Sequence, residues 1–267
     1  MSHTPRKRFG QNFLRDAEVV HRIAMAIHPR ADDHLVEIGP GEGVLTEALL
    51  QTAGQYDAIE IDRDLTADLR RRFSSRPGFH LHEADALRFD FKSLLGAGKI
   101  RVVGNLPYNI STPLMFHLFA QTEAIADMHF MLQNEVVDRL CAEPSSSHYG
   151  RLGIMASYFS RAEKLFEVFP ESFYPPPKVV SAIVRLVPHS VPPVSANPIT
   201  LGKVVATAFS QRRKTLKNAL GSLFNGAELE SVGIDPRARA ETLSLADYAA
   251  LARSLQKKSS EEGSGPP

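Results

Sequence analysis

Short apolar runs alternate, over the first two thirds of the chain, with longer stretches whose apolar residues recur every three or four positions. The runs are His34 to Ile38, Tyr56 to Ile61, Phe79 to His82, Ile100 to Val103 and Met128 to Leu132. Strand, helical stretch, strand in this order is the mark of βαβ units around a mostly parallel sheet. Two later runs, Leu165 to Phe169 and Ala182 to Val187, flank the proline-rich Tyr174 to Pro177 and read as a closing hairpin. The expectation is an α/β fold with a sheet of about seven strands. After Leu186 the chain passes through Pro188, Pro192, Pro193 and Pro198 among small and polar residues, the composition of a linker. A domain over residues 1–188 is therefore expected to end there. Val204, Val205, Ala208, Phe209, Leu216, Leu220, Leu223 and Phe224 then recur at helical spacing, as do the apolar residues of Leu243 to Leu255. They predict a small all-α domain over 199–256. Residues 257–267 are charged and rich in Gly, Ser and Pro, which predicts a disordered tail.

Composition narrows the classes. With 267 residues, 43% of them hydrophobic, the chain can bury a large core and a second smaller one. The single cysteine, Cys141, excludes an intramolecular disulfide; together with the lack of a signal-like amino end it predicts a cytoplasmic protein. In its helical setting Cys141 reads as a buried, inert thiol. No apolar run approaches the ~20 residues of a membrane span. No long apolar stripe is left over for self-association, so a monomer is expected. His80 and His82 alternate on a predicted strand but have no third ligand nearby, so no metal site is assigned.

The net charge of +1 suggests no partner, but its distribution changes the picture. Arg6, Lys7 and Arg8 form one basic run. Between Gly202 and Asn225 lie Lys203, Arg212, Arg213, Lys214 and Lys217 with no acid. Alone, either run reads as a solvated face; together they can meet a phosphate backbone.

The candidate chemistry sits where predicted strands end. The first strand runs into Glu37-Ile38-Gly39-Pro40-Gly41-Glu42-Gly43. Glycines at a strand-to-helix turn let the backbone approach a ligand closely. The third glycine comes one residue too early for a dinucleotide fingerprint, and E-x-G-x-G-x-G resembles motif I of class I S-adenosylmethionine-dependent methyltransferases. Glu60 ends the next strand, where a carboxylate can accept from both ribose hydroxyls; Asp62 is the weaker candidate. Asp85 follows the third strand and can accept from an adenine amine.

After the fourth strand stands Asn105-Leu106-Pro107-Tyr108, which resembles the N-x-P-Y motif of enzymes that methylate exocyclic amines of nucleic-acid bases. An adenine N6 lone pair is delocalised into the ring. It attacks well only when acceptors hold the amine hydrogens, here the Asn105 side-chain oxygen and the Leu106 carbonyl. Pro107 restricts the backbone that presents that carbonyl. Tyr108 offers a flat face to an extruded base.

Arg8-Phe9-Gly10-Gln11-Asn12-Phe13-Leu14, Phe173-Tyr174-Pro175-Pro176-Pro177-Lys178-Val179 and Phe209-Ser210-Gln211-Arg212-Arg213-Lys214 resemble three further motifs of the ribosomal RNA adenine dimethyltransferases. The resemblance runs from about Arg6 to Leu255 and is closest to the branch acting on the bacterial small subunit. It implies a class I methyltransferase, Rossmann-like sheet with a small helical rRNA-binding domain, S-adenosyl-L-methionine as cofactor, and small-subunit ribosomal RNA within the 30S subunit as partner. By it, Asn12, Leu14, Gly39, Gly41, Glu60, Asp85 and Asn105 line the cofactor site. Phe173 joins Tyr108 in sandwiching the target base, and Arg6, Lys7, Arg8, Arg212, Arg213 and Lys214 contact RNA. Erm-type enzymes of the large subunit share these motifs. A DNA adenine methyltransferase, or an assembly factor that binds RNA without catalysis, is the remaining alternative.

Overall fold

The structure, a computed structural model, describes residues 12–262. One compact unit comprises the described chain up to Val137 together with Arg161–Pro188; the other comprises Asp138–Ser160 together with the chain from His189.

The first unit opens with a two-residue strand, β1 (Phe13–Leu14), and the helix α1 (Ala17–Ile27). Asp16 caps α1 by accepting from the N–H groups of Glu18 and Val19, and Val19, Val20, Ile23 and Ile27 bury its apolar stripe. Then follow β2 (His34–Ile38), α2 (Val44–Leu49), β3 (Gln55–Glu60), α3 (Arg63–Phe73), β4 (Phe79–Glu83), β5 (Ile100–Asn105), α4 (Ser111–Phe119) and β6 (Ile125–Gln133). Leu35, Val36, Val102 and Val103 are wholly buried, as expected of parallel strands covered on both faces. The helix α5 (Asn134–Leu140) leads into the second unit. The chain returns for β7 (Ser160–Val168), β8 (Phe173–Tyr174) and β9 (Ser181–Pro188), after the helix α6 (Arg151–Phe159).

Seven strands form one sheet in the order β4-β3-β2-β5-β6-β9-β7. Strands β4, β3, β2, β5 and β6 are mutually parallel, and β9 runs antiparallel to β6. The α/β fold with a mostly parallel sheet is the one the resemblance implies. From β2 the chain winds outward through β3 and β4, then crosses back to the other side of β2 at β5. Ligands in open α/β sheets bind outside the carboxyl ends of the strands at such a reversal. Gly39 and Asn105 stand there.

The last two runs of the unit are neighbours at the sheet edge, as β7 and β9, yet they do not form a simple hairpin. Their connection carries β8, which pairs with β1 in a separate two-stranded ribbon, Phe13 opposite Tyr174 and Leu14 opposite Phe173.

In the second unit α6 packs with α7 (Pro198–Ser210) and α10 (Leu245–Glu262), beside the short helices α8 (Leu216–Ala219) and α9 (Gly226–Ser231). Tyr248 is fully buried and its hydroxyl donates to the Ala240 carbonyl at 2.6 Å; the Tyr149 hydroxyl donates to Leu243 at 2.9 Å. Three expectations differ here. Residues 138–160 belong with this unit and not with the sheet, because Leu152, Ile154, Met155, Ala156 and Tyr158 give α6 an apolar surface that α7 and α10 cover. The tail expected to be disordered from residue 257 is helical to Glu262. There Lys258 pairs with Glu228 at 2.8 Å and Ser259 donates to the Leu255 carbonyl. Cys141 lies just past α5 and is partly exposed rather than buried. Among the described residues no helix is long and apolar enough to cross a membrane.

Candidate active site

The loop that leaves β2 carries three glycines with positive φ, 65° at Gly39, 60° at Gly41 and 75° at Gly43. At Gly43, which caps α2, a Cβ would come within 2.9 Å of the Leu69 and Phe73 side chains, so both conformation and packing demand glycine. The loop is tied to the end of β3. The Gly41 N–H donates to Glu60 Oε2 at 3.2 Å, and the N–H groups of Ile61 and Asp62 donate to Oε1 at 2.9 Å. Burial pushes the Glu60 carboxyl above its ordinary range, and these three donors pull against that. Asp62 faces the other way, capping α3 through the Asp64 N–H.

Beneath the loop, Glu37 is buried. It accepts from the Thr46 hydroxyl at 2.5 Å and the Tyr56 hydroxyl at 2.7 Å, and burial pushes its pKa up to about 7 against those two hydrogen bonds. Asp85, beyond β4, accepts from the Leu87 N–H at 3.0 Å.

At the end of β5 the Asn105 side chain donates through Nδ2 to the Asn12 carbonyl at 3.1 Å. That bond spends the amide nitrogen and keeps Oδ1, the atom amine chemistry needs as acceptor. The Leu106 N–H donates to the Met131 carbonyl at 3.1 Å, and a turn closes from the Ile110 N–H to the Pro107 carbonyl at 3.2 Å. Tyr108 is half-buried, with its hydroxyl 2.8 Å from Ser181 Oγ; burial raises its pKa, so the phenol stays neutral. Asn12, Leu14, Gly39, Gly41, Glu60 and Asp85 line one cavity of about 250 Å³ together with Asn105, Leu106, Pro107 and Tyr108. Five chain segments distant in sequence thus meet at the sheet's reversal point.

The profile of the family described as "Ribosomal RNA adenine dimethylase" matches residues 2–257. The chain belongs to this family. It is 58% identical over 255 residues, 96% of this chain and 99% of the relative, to "Ribosomal RNA small subunit methyltransferase A" of Methylococcus capsulatus. Among solved structures it resembles a dimethyladenosine transferase from Plasmodium falciparum, with 26% identity, a TM-score of 0.80, and 92% of this chain and 98% of that one covered. It also resembles the 23S rRNA methyltransferase ErmE, with 26% identity, a TM-score of 0.69, and 92% and 100% covered.

Within this adenine dimethylase frame, Phe173 and Arg212 have surroundings the sequence does not announce. Phe173 is not among the residues that line the cavity. It is 5% exposed and packs in the apolar cluster with Leu14, Val103, Met131 and Ile183, because β8 turns alternate side chains to opposite faces. Its neighbour Tyr174 is 56% exposed. Arg212 is held within the second unit by Glu241 at 3.0 Å and by the Ser147 carbonyl at 2.7 Å, whereas Arg213 and Lys214 are exposed in the turn after α7. Arg6, Lys7 and Arg8 lie outside the described residues.

Three cavity features escaped the sequence reading. Ser181, at the start of β9, holds Tyr108; nothing in a lone buried serine signals this. His129 on β6 lines the cavity, and neither ring nitrogen has a hydrogen-bond partner among the described residues; burial pushes its pKa down to about 4, against Asp127, so it is neutral. Phe13, missed between Asn12 and Leu14, lays its ring against Gly41. The histidines on β4 divide: His80 is exposed, while His82 and His34 both bond the buried Asp57, each at 2.5 Å. Burial acts to raise the Asp57 pKa, and the two histidines outweigh it. No group of His, Cys, Asp and Glu among the described residues is arranged to hold a metal.

Proposed function

We propose that this chain uses S-adenosyl-L-methionine to dimethylate the N6 amines of two adjacent adenosines near the 3′ end of 16S rRNA in the small ribosomal subunit. The observation that carries this is the meeting of Asn105 and its Leu106-Pro107-Tyr108 segment with the glycine loop, Glu60 and Asp85 around one cavity. The name borne by the relatives at 52–58% identity supports the small subunit over the large.

The residues fit the cofactor. At Gly39 a Cβ would meet only the Asn105 carbonyl oxygen, at 3.9 Å, and would stand in the space between the loop and the end of β5. The Glu60 carboxylate would accept hydrogen bonds from the ribose hydroxyls and Asp85 one from the adenine amine, while Asn12 and Leu14 wall the cavity from the β1 side. Bound there, S-adenosylmethionine supplies a methyl group on a positively charged sulfur. The chain's own task is to ready the nucleophile. Asn105 Oδ1 and the Leu106 carbonyl accept the hydrogens of the target amine and favour a nitrogen whose lone pair points away from the ring. Tyr108 stacks on the base, and Pro107 keeps the Leu106 carbonyl in one direction. After the first methyl is added and one amine proton is lost to solvent, the amine retains one hydrogen, and one acceptor suffices to hold it for the second.

The second unit and the basic residues Arg213 and Lys214 contact RNA phosphates; Arg212 contributes less, being paired already. The protein works as a monomer in the cytoplasm. Incubation with labelled cofactor and separated small subunits, large subunits or duplex DNA tests the reading. Dimethyladenosine confined to small-subunit RNA is expected; label in large subunits or DNA overturns it.

A further inference from the structure

Strand β8 has only two residues, and the sheet rule sends them to opposite sides: Phe173 into the core, Tyr174 outward. An exposed tyrosine is by itself ordinary. Three features set this one apart. Tyr174 is the register partner of Phe13, whose ring lies 3.2 Å from where a Gly41 Cβ would be, so its strand is bonded directly to a wall of the cofactor cavity. One face of the Tyr174 ring is covered by the Arg15 guanidinium, 5.1 Å from the ring centroid. Arg15 is itself held by two hydrogen bonds to Glu42 of the glycine loop, at 3.0 and 2.9 Å. A ring backed on one face by a clamped cation, and 56% exposed, is oriented as a platform.

We infer that Tyr174 stacks on an unpaired base of the RNA substrate, next to the adenine presented to the cavity, with Arg15 fixing the ring from behind. A flat π-face without base-specific donors suits a neighbouring nucleotide, whose identity the reaction does not need to read. Because Arg15 is paired with Glu42, its part is to orient the ring and not to neutralise phosphate. The chemistry recognised is a single-stranded nucleobase, and the inference rests on the reading of the cavity as an RNA adenine site.

The test is a series at one position, read on small ribosomal subunits that lack methylated adenines. Tyr174→Ala is expected to raise KM for the subunits about 10-fold, with the larger part of the loss in KM rather than kcat and no change in S-adenosylhomocysteine affinity. Tyr174→Phe and Tyr174→Trp are expected to restore KM, since stacking needs the ring. Arg15→Gln should raise KM by a few-fold, through the same ring. A wild-type KM for Tyr174→Ala, or a Tyr174→Phe protein as impaired as Tyr174→Ala, overturns the inference. Wild-type protein that methylates no small-subunit adenine would instead overturn the underlying reading, so the two failures are distinct.

Discussion

At one end of the cavity the Glu60 carboxylate is gripped by backbone N–H groups of Ile61, Asp62 and Gly41; at the other, Asn105 and Tyr108 are held through side chains, by Asn12 and Ser181, 93 and 73 residues away. The end we assign to the cofactor is thus built from consecutive βα junctions. The base end depends on tertiary neighbours. At the first end, backbone donors fix the carboxylate that would meet the ligand. At the other end, distant neighbours, the Asn12 carbonyl and the Ser181 hydroxyl, fix the side chains that would meet the base.

The strongest way to break this comparison is Asn105→Ala, which removes the one side-chain acceptor at the base end. Single-turnover methyl transfer on small subunits should slow about 10²-fold or more, by analogy with deleting one partner from a charge-stabilising site, while RNA affinity stays near wild type. A rate close to wild type would mean Oδ1 takes no part.

Glu37 tests the cofactor end. Its carboxyl titrates at about 7 in the fold and near 4.5 when unfolded, because burial penalises the charge. The folded protein therefore holds a proton that the unfolded chain has lost. Stability from this group falls as pH rises from about 4.5 to 7, by about 3 kcal/mol in all. Urea unfolding at pH 5 and pH 8 should show that decline in the wild type and much less of it in Glu37→Gln. An identical decline in both would place its cause elsewhere.

Glu60→Ala should weaken S-adenosylhomocysteine binding by about 10-fold or more in calorimetry, since hydrogen bonds to an ionised acceptor are among the stronger ones, with RNA binding unchanged. Unaltered cofactor affinity in a folded variant would remove Glu60 from the site. The smallest effect is expected at Ser181. Losing one hydrogen bond to Tyr108 should lower kcat about 5-fold, and Tyr108→Phe should do the same. The double variant should be no worse than either single one, whereas Tyr108→Ala should lose most activity. Additive losses would separate the two residues.

Much of this site was legible because its parts are local. Gly39, Gly41 and Gly43 are required by φ within a single turn, and Glu60 and Asp85 follow strands whose apolar runs are plain. Phe173 is buried for an equally physical reason. In Phe173-Tyr174 either aromatic could face out, and only the pairing of Leu14 with Phe173 decides which. Arg212 stands in a basic run without acids, and its partner Glu241 lies 29 residues on.

What the sequence determined by itself is the succession of strands and helices, the glycine turn and the acid at each strand end, since apolar period and backbone φ depend on neighbours a few residues apart. Tertiary structure alone decided that residues 138–160 join the helical unit and that Ser181 holds Tyr108. It also decided that Tyr174 faces outward over Arg15. A strand of two residues has no period to read. A contact between Leu14 and Phe173 exists only once the sheet between them has closed.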